Sequence, residues 1–175
     1  VCDDFPSGTG QDGTVSWTVI VPVKRLAQAK SRLRDEIGQG AGHNRAHEEL
    51  VLAMMLDTVA AALSSPVVGR VIVISADPEP GEEAALLGAE TLPDVPDAGL
   101  NPALAYAAAH VRRSGLAGTE PGVVALTADL PALREAELTE ALRHAEQAAG
   151  SLGPRALVRS FVADAAGTGT VLLAA

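Results

Sequence analysis

Cysteine and aromatic residues are scarce in this 175-residue chain, and both shortages exclude functions. The single cysteine, Cys2, cannot form a disulfide within the chain, which is typical of proteins from a reducing cytoplasm. Aromatic residues make up 2% of the sequence and the formal net charge is -9. The chain therefore offers few stacking partners to single-stranded nucleic acid, and its negative charge is unfavourable for binding a phosphate backbone. We expect a cytoplasmic protein that binds no nucleic acid.

Long apolar runs are also missing. No apolar run reaches the roughly 18 residues that a transmembrane helix needs, so we expect no membrane partner. At 47% hydrophobic residues the chain can nevertheless bury a core. Residues 1–14 are rich in Gly, Asp, Ser and Thr, which predicts a flexible N-terminal lead-in. The remainder, residues 15–175, has the size of a single domain.

Lysine is rare, and its placement is uneven. Of the 13 basic residues only Lys24 and Lys30 are lysines; with Arg25, Arg32 and Arg34 they put five positive charges between positions 24 and 34. Lysine offers phosphate a compact charge, and arginine binds phosphate oxygens in a bidentate fork. The cluster therefore predicts a triphosphate-binding loop. A solvated basic segment is the alternative interpretation.

Strand and helix patterns alternate along the chain. Short apolar, β-branched runs are typical of buried strands, and leucines spaced by three and four residues are typical of amphipathic helices. This alternation predicts an α/β fold, a three-layer sandwich with a mainly parallel sheet. The predicted strands are 17–23, 71–75, 90–92, 123–127, 156–163 and 170–173, and the predicted helices are 45–63, 82–87, 102–113 and 138–149.

Ligands of such sheets bind beyond the carboxyl ends of the strands, so the residues after each strand are the candidate site. Asp129 directly follows a predicted strand, with Pro131 two residues later. A carboxylate at that position can bind Mg²⁺, which usually takes only one or two protein carboxylates. Alternatively, Asp129 caps the turn that follows the strand.

Two glycine-containing segments are further candidates. The segment Gly167-Thr-Gly-Thr170 offers hydroxyl groups and amides to a phosphate or carboxylate, with Gly169 and Thr170 as the predicted contacts, although Gly-Thr turns also occur without a ligand. Gly99-Leu-Asn101 can approach a base or ribose. It can equally begin a helix, with Asn101 as its cap and Pro102 at the first helical position.

Several common site motifs are absent. Neither a P-loop nor a dinucleotide-binding glycine motif follows the first strand, which argues against P-loop hydrolysis and NAD binding. His43 and His47 are spaced to share one helix face, but the sequence suggests no third ligand, so we expect no metal there. Nucleophilic catalysis by Cys2 is not expected, because this residue lies in the lead-in.

The motifs taken together resemble a known family, the phosphoenolpyruvate or 2-phospho-L-lactate guanylyltransferases. These enzymes make the linker precursor of the deazaflavin coenzyme F-420. The resemblance runs from about Trp17 to the end of the chain and implies a nucleotide-diphospho-sugar-transferase-like fold. The matching segments are PVKRLAQAKSRL at 22–33, LAMMLDT at 52–58, DLPAL at 129–133, SFVAD at 160–164 and GTGT at 167–170.

The resemblance also implies roles for individual residues. Lys30 would lie nearest the reacting α-phosphate of GTP and would stabilise the transition state together with Arg32. Asp129 would bind Mg²⁺, and Thr170, beside Gly169, would contact the phosphorylated three-carbon acid. The implied nucleotide-binding residues are Pro22, Val23, Lys24, Arg25, Lys30 and Asn101.

The chain departs from the family in one respect. Family members continue further and carry an Asp-x-Asp pair for metal, whereas Asp164 is the last carboxylate residue here. We therefore expect a domain that lacks its C-terminal part.

The implied function is transfer of GMP from GTP to phosphoenolpyruvate or 2-phospho-L-lactate, with release of pyrophosphate. The acceptor phosphate is already ionised at neutral pH, so no general base is needed. Two alternatives stay open: a nucleotidyltransferase with a molybdopterin or sugar-phosphate acceptor, and a non-catalytic nucleotide-binding module. A homodimer is one expectation for the oligomeric state.

Overall fold

The computed structural model describes residues 16–26, 41–114, 122–152 and 158–175. Strands and helices alternate through most of these residues, as the sequence predicts. The elements are β1 (Trp17–Val23), α1 (Ala41–Ser64), β2 (Val68–Ser75), α2 (Pro78–Leu86), β3 (Glu90–Pro93), α3 (Leu100–Ser114), β4 (Val123–Leu126), α4 (Glu135–Leu152), β5 (Ser160–Ala163) and β6 (Thr170–Ala174).

The described strands form one six-stranded sheet in the order β3-β2-β1-β4-β6-β5. Strands β1 to β4 are mutually parallel, whereas β6 runs antiparallel to both of its neighbours, β4 and β5. The predicted α/β class with a mainly parallel sheet is confirmed. The antiparallel direction of β6 was not predicted.

Helices cover both faces of the sheet because the central strands are apolar on both sides. Side chains alternate between faces along a strand, so Val19 and Val21 of β1 point to one side and Ile20 to the other. The valine side packs against α1 and α4, with Met55 and Leu142 in the shared core. The isoleucine side packs against α3. This arrangement gives the three predicted layers.

Several boundaries differ from the sequence prediction by up to four residues: α1 begins at Ala41 rather than at residue 45, β2 begins at Val68 rather than at residue 71, and α4 spans Glu135–Leu152 rather than 138–149. Helix α2 begins at Pro78 rather than at residue 82, since proline is well suited to the first turn of a helix. Helix α3 begins at Leu100, two residues before Pro102, the predicted first helical residue, and the carbonyl of Gly99 accepts the amide of Ala103 at 3.2 Å. Strand β5 begins at Ser160. Residues 158–159 are not strand, and 156–157 lie outside the described residues.

Among the helices of the described residues, none has both the length and the apolar character needed to cross a membrane.

Candidate active site at the carboxyl edge of the sheet

The sheet reverses its strand order between β1 and β4. From β1 the chain proceeds to β2 and β3 on one side, and β4 lies on the other side. Such a reversal leaves a crevice beyond the carboxyl ends of the two strands, where ligands of open α/β sheets bind. Strand β5 runs parallel to β4, so the end of β5 and the start of β6 lie at this same edge. The topology therefore brings Lys24, Asn101, Asp129 and Thr170 to one edge of the sheet.

The first wall of this crevice is the end of β1. Pro22 is half-buried, and Val23 is buried in the core, so Val23 can offer a ligand only its backbone. Lys24 is exposed and forms no ion pair with any described residue. Leu26 is buried, and its amide donates a hydrogen bond of 2.8 Å to Oδ2 of Asp77, which follows β2. Lys24 is thus a cation that an anionic ligand can reach.

Arg25 differs from Lys24 because its guanidinium is already engaged. Its Nη2 donates to Oδ2 of Asp97 at 2.7 Å, and its Nη1 lies 3.5 Å from Oδ1 of Asp77. The hydrogen bond and charge of Asp97 raise the pKa of Arg25 above its ordinary value. Sequence reasoning missed both carboxylate partners. The available signal was that Asp77 directly follows β2, the strand beside β1 at the same edge.

The loop between β3 and α3 lies beside the Arg25 loop. The amide of Asp94 donates to the carbonyl of Ser75 at 2.9 Å, and the amide of Asp97 donates to Oδ1 of Asp94 at 3.1 Å. Asp97 has a φ of +39° and Gly99 a φ of +101°, and the chain bends between β3 and the helix. Asn101 is exposed in the first turn of α3. It therefore lies inside the helix and is not the cap that the sequence suggested.

Asp129 is exposed in a turn that directly follows β4. This turn is held from below by Thr58, a buried residue of α1. The amide of Leu130 donates to the Thr58 hydroxyl at 3.0 Å, and that hydroxyl donates to the carbonyl of Met54 at 2.9 Å, with the carbonyl of Ala128 at 3.4 Å as an alternative acceptor. Sequence reasoning counted this segment as part of a matching motif but gave Thr58 no role.

The far wall of the crevice is formed by the turn between β5 and β6. The amide of Thr127 donates to the carbonyl of Val171 at 3.0 Å, which fixes Thr170 beside the end of β4. Gly169 and Thr170 are both exposed. Both can therefore be reached by a ligand in the crevice.

The turn itself is organised by Asp164. Its Oδ1 accepts the amide of Thr168 at 2.9 Å, and hydrogen bonds from the amides of Gly169 and Thr168 lower the pKa of Asp164. Gly167 has a φ of +67°, which favours glycine. The amide of Thr168 is therefore already hydrogen-bonded to Asp164, whereas the sequence suggested that the amides of this segment bind a phosphate or carboxylate.

A metal at this edge would bind Asp129 as a single protein carboxylate. In the part of the chain that the structure describes, no three His, Cys, Asp or Glu side chains are grouped closely enough to hold a metal ion. One exposed carboxylate suits Mg²⁺, which keeps several waters and commonly completes its shell with phosphate oxygens. His47, which the sequence places on one helix face with His43, is buried in α1.

Two predicted catalytic residues, Lys30 and Arg32, lie outside the described residues. Their roles stay predictions.

Comparison with known proteins gives one family. The family model described as guanylyl transferase CofC like matches residues 17–173. A relative from Salinispora arenicola, named phosphoenolpyruvate guanylyltransferase, is 49% identical over 162 residues, which cover 93% of this chain and 67% of the relative. A relative of the same name from Geodermatophilus obscurus is 50% identical over 160 residues, which cover 91% of this chain and 67% of that protein. The chain thus spans about two thirds of the length of these relatives.

The fold has solved counterparts. A protein from Desulfovibrio desulfuricans G20, described as a nucleotide-diphospho-sugar transferase, superposes with a TM-score of 0.62 at 15% sequence identity, covering 91% of this chain and 63% of that one. At this identity the similarity concerns the fold alone. The predicted nucleotide-diphospho-sugar-transferase-like fold is confirmed, and the family match agrees with the resemblance found in the sequence.

Proposed function

Since the chain belongs to the guanylyl transferase CofC-like family, we propose that it transfers GMP from GTP to phosphoenolpyruvate and releases pyrophosphate, as a step of coenzyme F-420 biosynthesis. The observation that carries this proposal is 49% identity, over 93% of the chain, to a phosphoenolpyruvate guanylyltransferase. The names of the relatives favour phosphoenolpyruvate over 2-phospho-L-lactate as the acceptor.

The geometry supports a nucleotide on the β1 and β3 side of the crevice. Lys24 is exposed after β1 and offers its charge to the triphosphate. Asn101 is exposed at the start of α3, where its amide group can bond to the base or ribose. Lys30 and Arg32 belong to the same basic cluster in the sequence. The family resemblance implies that Lys30 lies nearest the α-phosphate and that both residues stabilise the transition state.

The acceptor fits the opposite side. Thr170 begins β6, two strands away from β1, which is a distance of roughly 10 Å at the usual strand spacing. Strand β4 lies between them and carries Asp129 at its end. Asp129 therefore lies between the side proposed for the triphosphate and the side proposed for the acceptor. A reaction that joins the two would take place above β4.

The reaction needs positioning and charge neutralisation more than acid-base chemistry. An ionised phosphate oxygen of the acceptor forms a bond to the α-phosphorus of GTP, and the bond from that phosphorus to pyrophosphate breaks. No proton has to be removed from the acceptor. The contribution of the protein is then to align the two phosphates and to neutralise the charge of the leaving group, as in other phosphoryl transfers. Lys24, Lys30 and Arg32 suit this task.

Mg²⁺ is part of the proposal, with Asp129 as its protein ligand. When bound, the ion would supply charge neutralisation to the phosphates of GTP. Asp129 would hold it above β4, in a turn whose backbone is fixed by Thr58. A cytoplasmic location and a homodimer are further predictions, the first from the single cysteine.

Pyrophosphate release tests the proposed function. The protein is incubated with Mg²⁺, phosphoenolpyruvate and each of the four nucleoside triphosphates in turn, and pyrophosphate is measured by a coupled assay. We expect release with GTP that depends on the acceptor. The reaction is repeated with 2-phospho-L-lactate, a sugar phosphate and molybdopterin as acceptors. Preference for another triphosphate or acceptor would favour a different nucleotidyltransferase.

A non-catalytic module gives a different result. Such a module binds GTP in titration calorimetry but releases no pyrophosphate with any acceptor. The variant Arg45→Ala is a suitable control for the effect of removing a cation from the surface. Among the described residues, Arg45 is exposed on α1 and pairs only with Glu49, one helical turn away. This variant should keep full activity.

A further inference from the structure

We infer that Arg25 is a positioning residue that fastens the loop after β3 to the end of β1, and that it does not serve as a ligand of the triphosphate. The inference rests on the proposed function, and it assigns Arg25 differently from the sequence analysis, which counted it among the nucleotide-binding residues. The loop concerned, residues 94–99, leads directly into the first turn of α3 and to Asn101.

Arg25, which follows β1, contacts residues that follow β2 and β3. Its guanidinium meets Asp97, in the loop after β3, through an Nη2 to Oδ2 distance of 2.7 Å. It also meets Asp77, after β2, at 3.5 Å. Asp77 in turn accepts the amide of Leu26 at 2.8 Å, so it binds the backbone and the side chain of the same loop. Arg25 therefore links the carboxyl ends of β1, β2 and β3.

The tip of the loop depends on this link. Within the described residues, the other hydrogen bonds of positions 94–97 stay near β3 and the end of β2: Asp94 to Ser75, Val95 to Pro93, and Asp97 to Asp94. The side chains of Val95 and Asp97 are largely exposed, so burial contributes little to the order of the tip. The pair between Arg25 and Asp97 is the described contact that joins the tip to β1.

The carboxylates that face Arg25 also argue against a role as a phosphate ligand. Arg25 faces two carboxylates, so its positive charge is offset before a ligand arrives. A phosphate that recruited Arg25 would have to replace the 2.7 Å bond to Asp97 and would leave that carboxylate facing a polyanion. Lys24, one residue earlier, is exposed and forms no ion pair with a described residue, so it can take a phosphate without this cost.

Two single variants and their combination test the inference in the 175-residue chain. Arg25→Ala removes the cation. Asp97→Asn removes the negative charge and keeps the backbone, because asparagine tolerates the positive φ of this position better than alanine does. The readouts are GTP affinity by titration calorimetry with Mg²⁺ present, and amide hydrogen exchange of residues 94–101 without nucleotide. Unfolding in urea, followed by the fluorescence of Trp17, confirms that each variant is folded.

If Arg25 positions the loop, both single variants lose the same interaction. Each should weaken GTP binding by about fivefold, the scale expected for one exposed ion pair, and speed amide exchange in the loop. The double variant should bind GTP no more weakly than Arg25→Ala alone, because Asp97→Asn has no pair left to remove once Arg25 is gone.

Arg70→Ala is the matched control. Arg70 and Glu90 form a bidentate pair, at 2.8 and 2.7 Å, between β2 and β3 at the opposite edge of the sheet. This variant removes an arginine–carboxylate pair of the same kind, but one that joins β2 to β3 and not the end of β1 to the loop after β3. It should leave the GTP affinity and the exchange of residues 94–101 unchanged.

A direct phosphate contact gives a different pattern. Arg25→Ala would then weaken GTP binding, while Asp97→Asn would leave it unchanged or strengthen it by freeing the cation. That pattern overturns the inference, as does wild-type affinity in all three variants. If the wild-type chain binds no GTP, the proposed function fails, and exchange alone decides the role of Arg25. Faster exchange in both single variants then supports the link, and unchanged exchange overturns it.

Discussion

The buried hydroxyl of Thr58 accepts a hydrogen bond from the amide of Leu130 at 3.0 Å, which joins the C-terminal half of helix α1 to the turn after β4. Leu130 is the residue next to Asp129. The turn that presents the proposed metal ligand is therefore fixed by a side chain that is separated from it by 72 positions in the chain. Asp129 does not depend on its own turn alone for its place at the crevice.

Replacing Thr58 with valine should destabilise the fold and weaken metal binding. Valine has nearly the same shape but no hydroxyl, so the amide of Leu130 would lose its partner in a partly buried place. Such a loss costs about 1–3 kcal/mol. Urea unfolding followed by Trp17 fluorescence measures this stability, and the Mg²⁺ concentration for half-maximal activity should rise. Thr58→Ser keeps the hydroxyl and should keep the metal requirement. Equal metal requirements for valine and wild type would limit Thr58 to a structural role.

Asp129→Asn should abolish Mg²⁺-dependent activity. The amide has the size of the carboxylate but no negative charge, so it is a poor ligand for a hard cation. Activity is measured across a titration of Mg²⁺, and GTP binding in the absence of metal serves as the control for folding. An unchanged metal titration would show that Asp129 only caps its turn.

Lys30→Ala should lower turnover by orders of magnitude and leave the fold intact. The family resemblance places this lysine nearest the α-phosphate, and lysine, a residue type that is rarely buried, usually contributes little to stability. Turnover is compared with that of Arg45→Ala, which removes another cation, one whose described partner is Glu49 of the same helix. Near-normal turnover in Lys30→Ala would remove the catalytic role from this residue.

We expect the stability of the fold to depend on the ionisation of Asp164. Amide hydrogen bonds lower its pKa in the folded protein below the value of about 3.9 expected in the unfolded chain. Its contribution to stability is therefore complete above the unfolded pKa and is lost as the pH falls through the folded pKa. Urea unfolding between pH 6 and pH 2.5 should show a smaller loss below about pH 4 in Asp164→Asn than in the wild type. Identical profiles would mean that the amides of the turn do not favour the ionised carboxylate.

Much of the fold follows from local patterns. The apolar run WTVIVPV coincides with β1, and its burial on both sides follows from having β-branched residues at consecutive positions. Gly88 ends α2 with a φ of +98°, a conformation that glycine adopts at low cost. The direction of β6 was not predictable, since an apolar run of five residues pairs in either direction. The start of α2 was misplaced because Pro78 was not considered as a first helical residue.

The site was predictable as a set of positions but not as a set of contacts. Residues that follow parallel strands share an edge, and this rule brings Lys24 and Asp129 to the same crevice. The rule does not show which side chains are already paired. Arg25 and Lys24 are adjacent cations in the sequence, yet among the residues that the structure describes only Arg25 has two carboxylates within 3.5 Å. Thr58 was missed because a single hydroxyl within a helical pattern carries no signal of its distant partner.

Direct identification of the product tests the central claim, that the crevice between β1 and β4 joins GMP to phosphoenolpyruvate. The protein is incubated with GTP, phosphoenolpyruvate and Mg²⁺, and the mixture is analysed by ³¹P NMR and mass spectrometry. We expect equal amounts of pyrophosphate and of a guanosine diphosphate-linked enolpyruvyl product, and neither compound with Asp129→Asn. Unchanged GTP and phosphoenolpyruvate after prolonged incubation, or equal product from the Asp129→Asn variant, would contradict this claim.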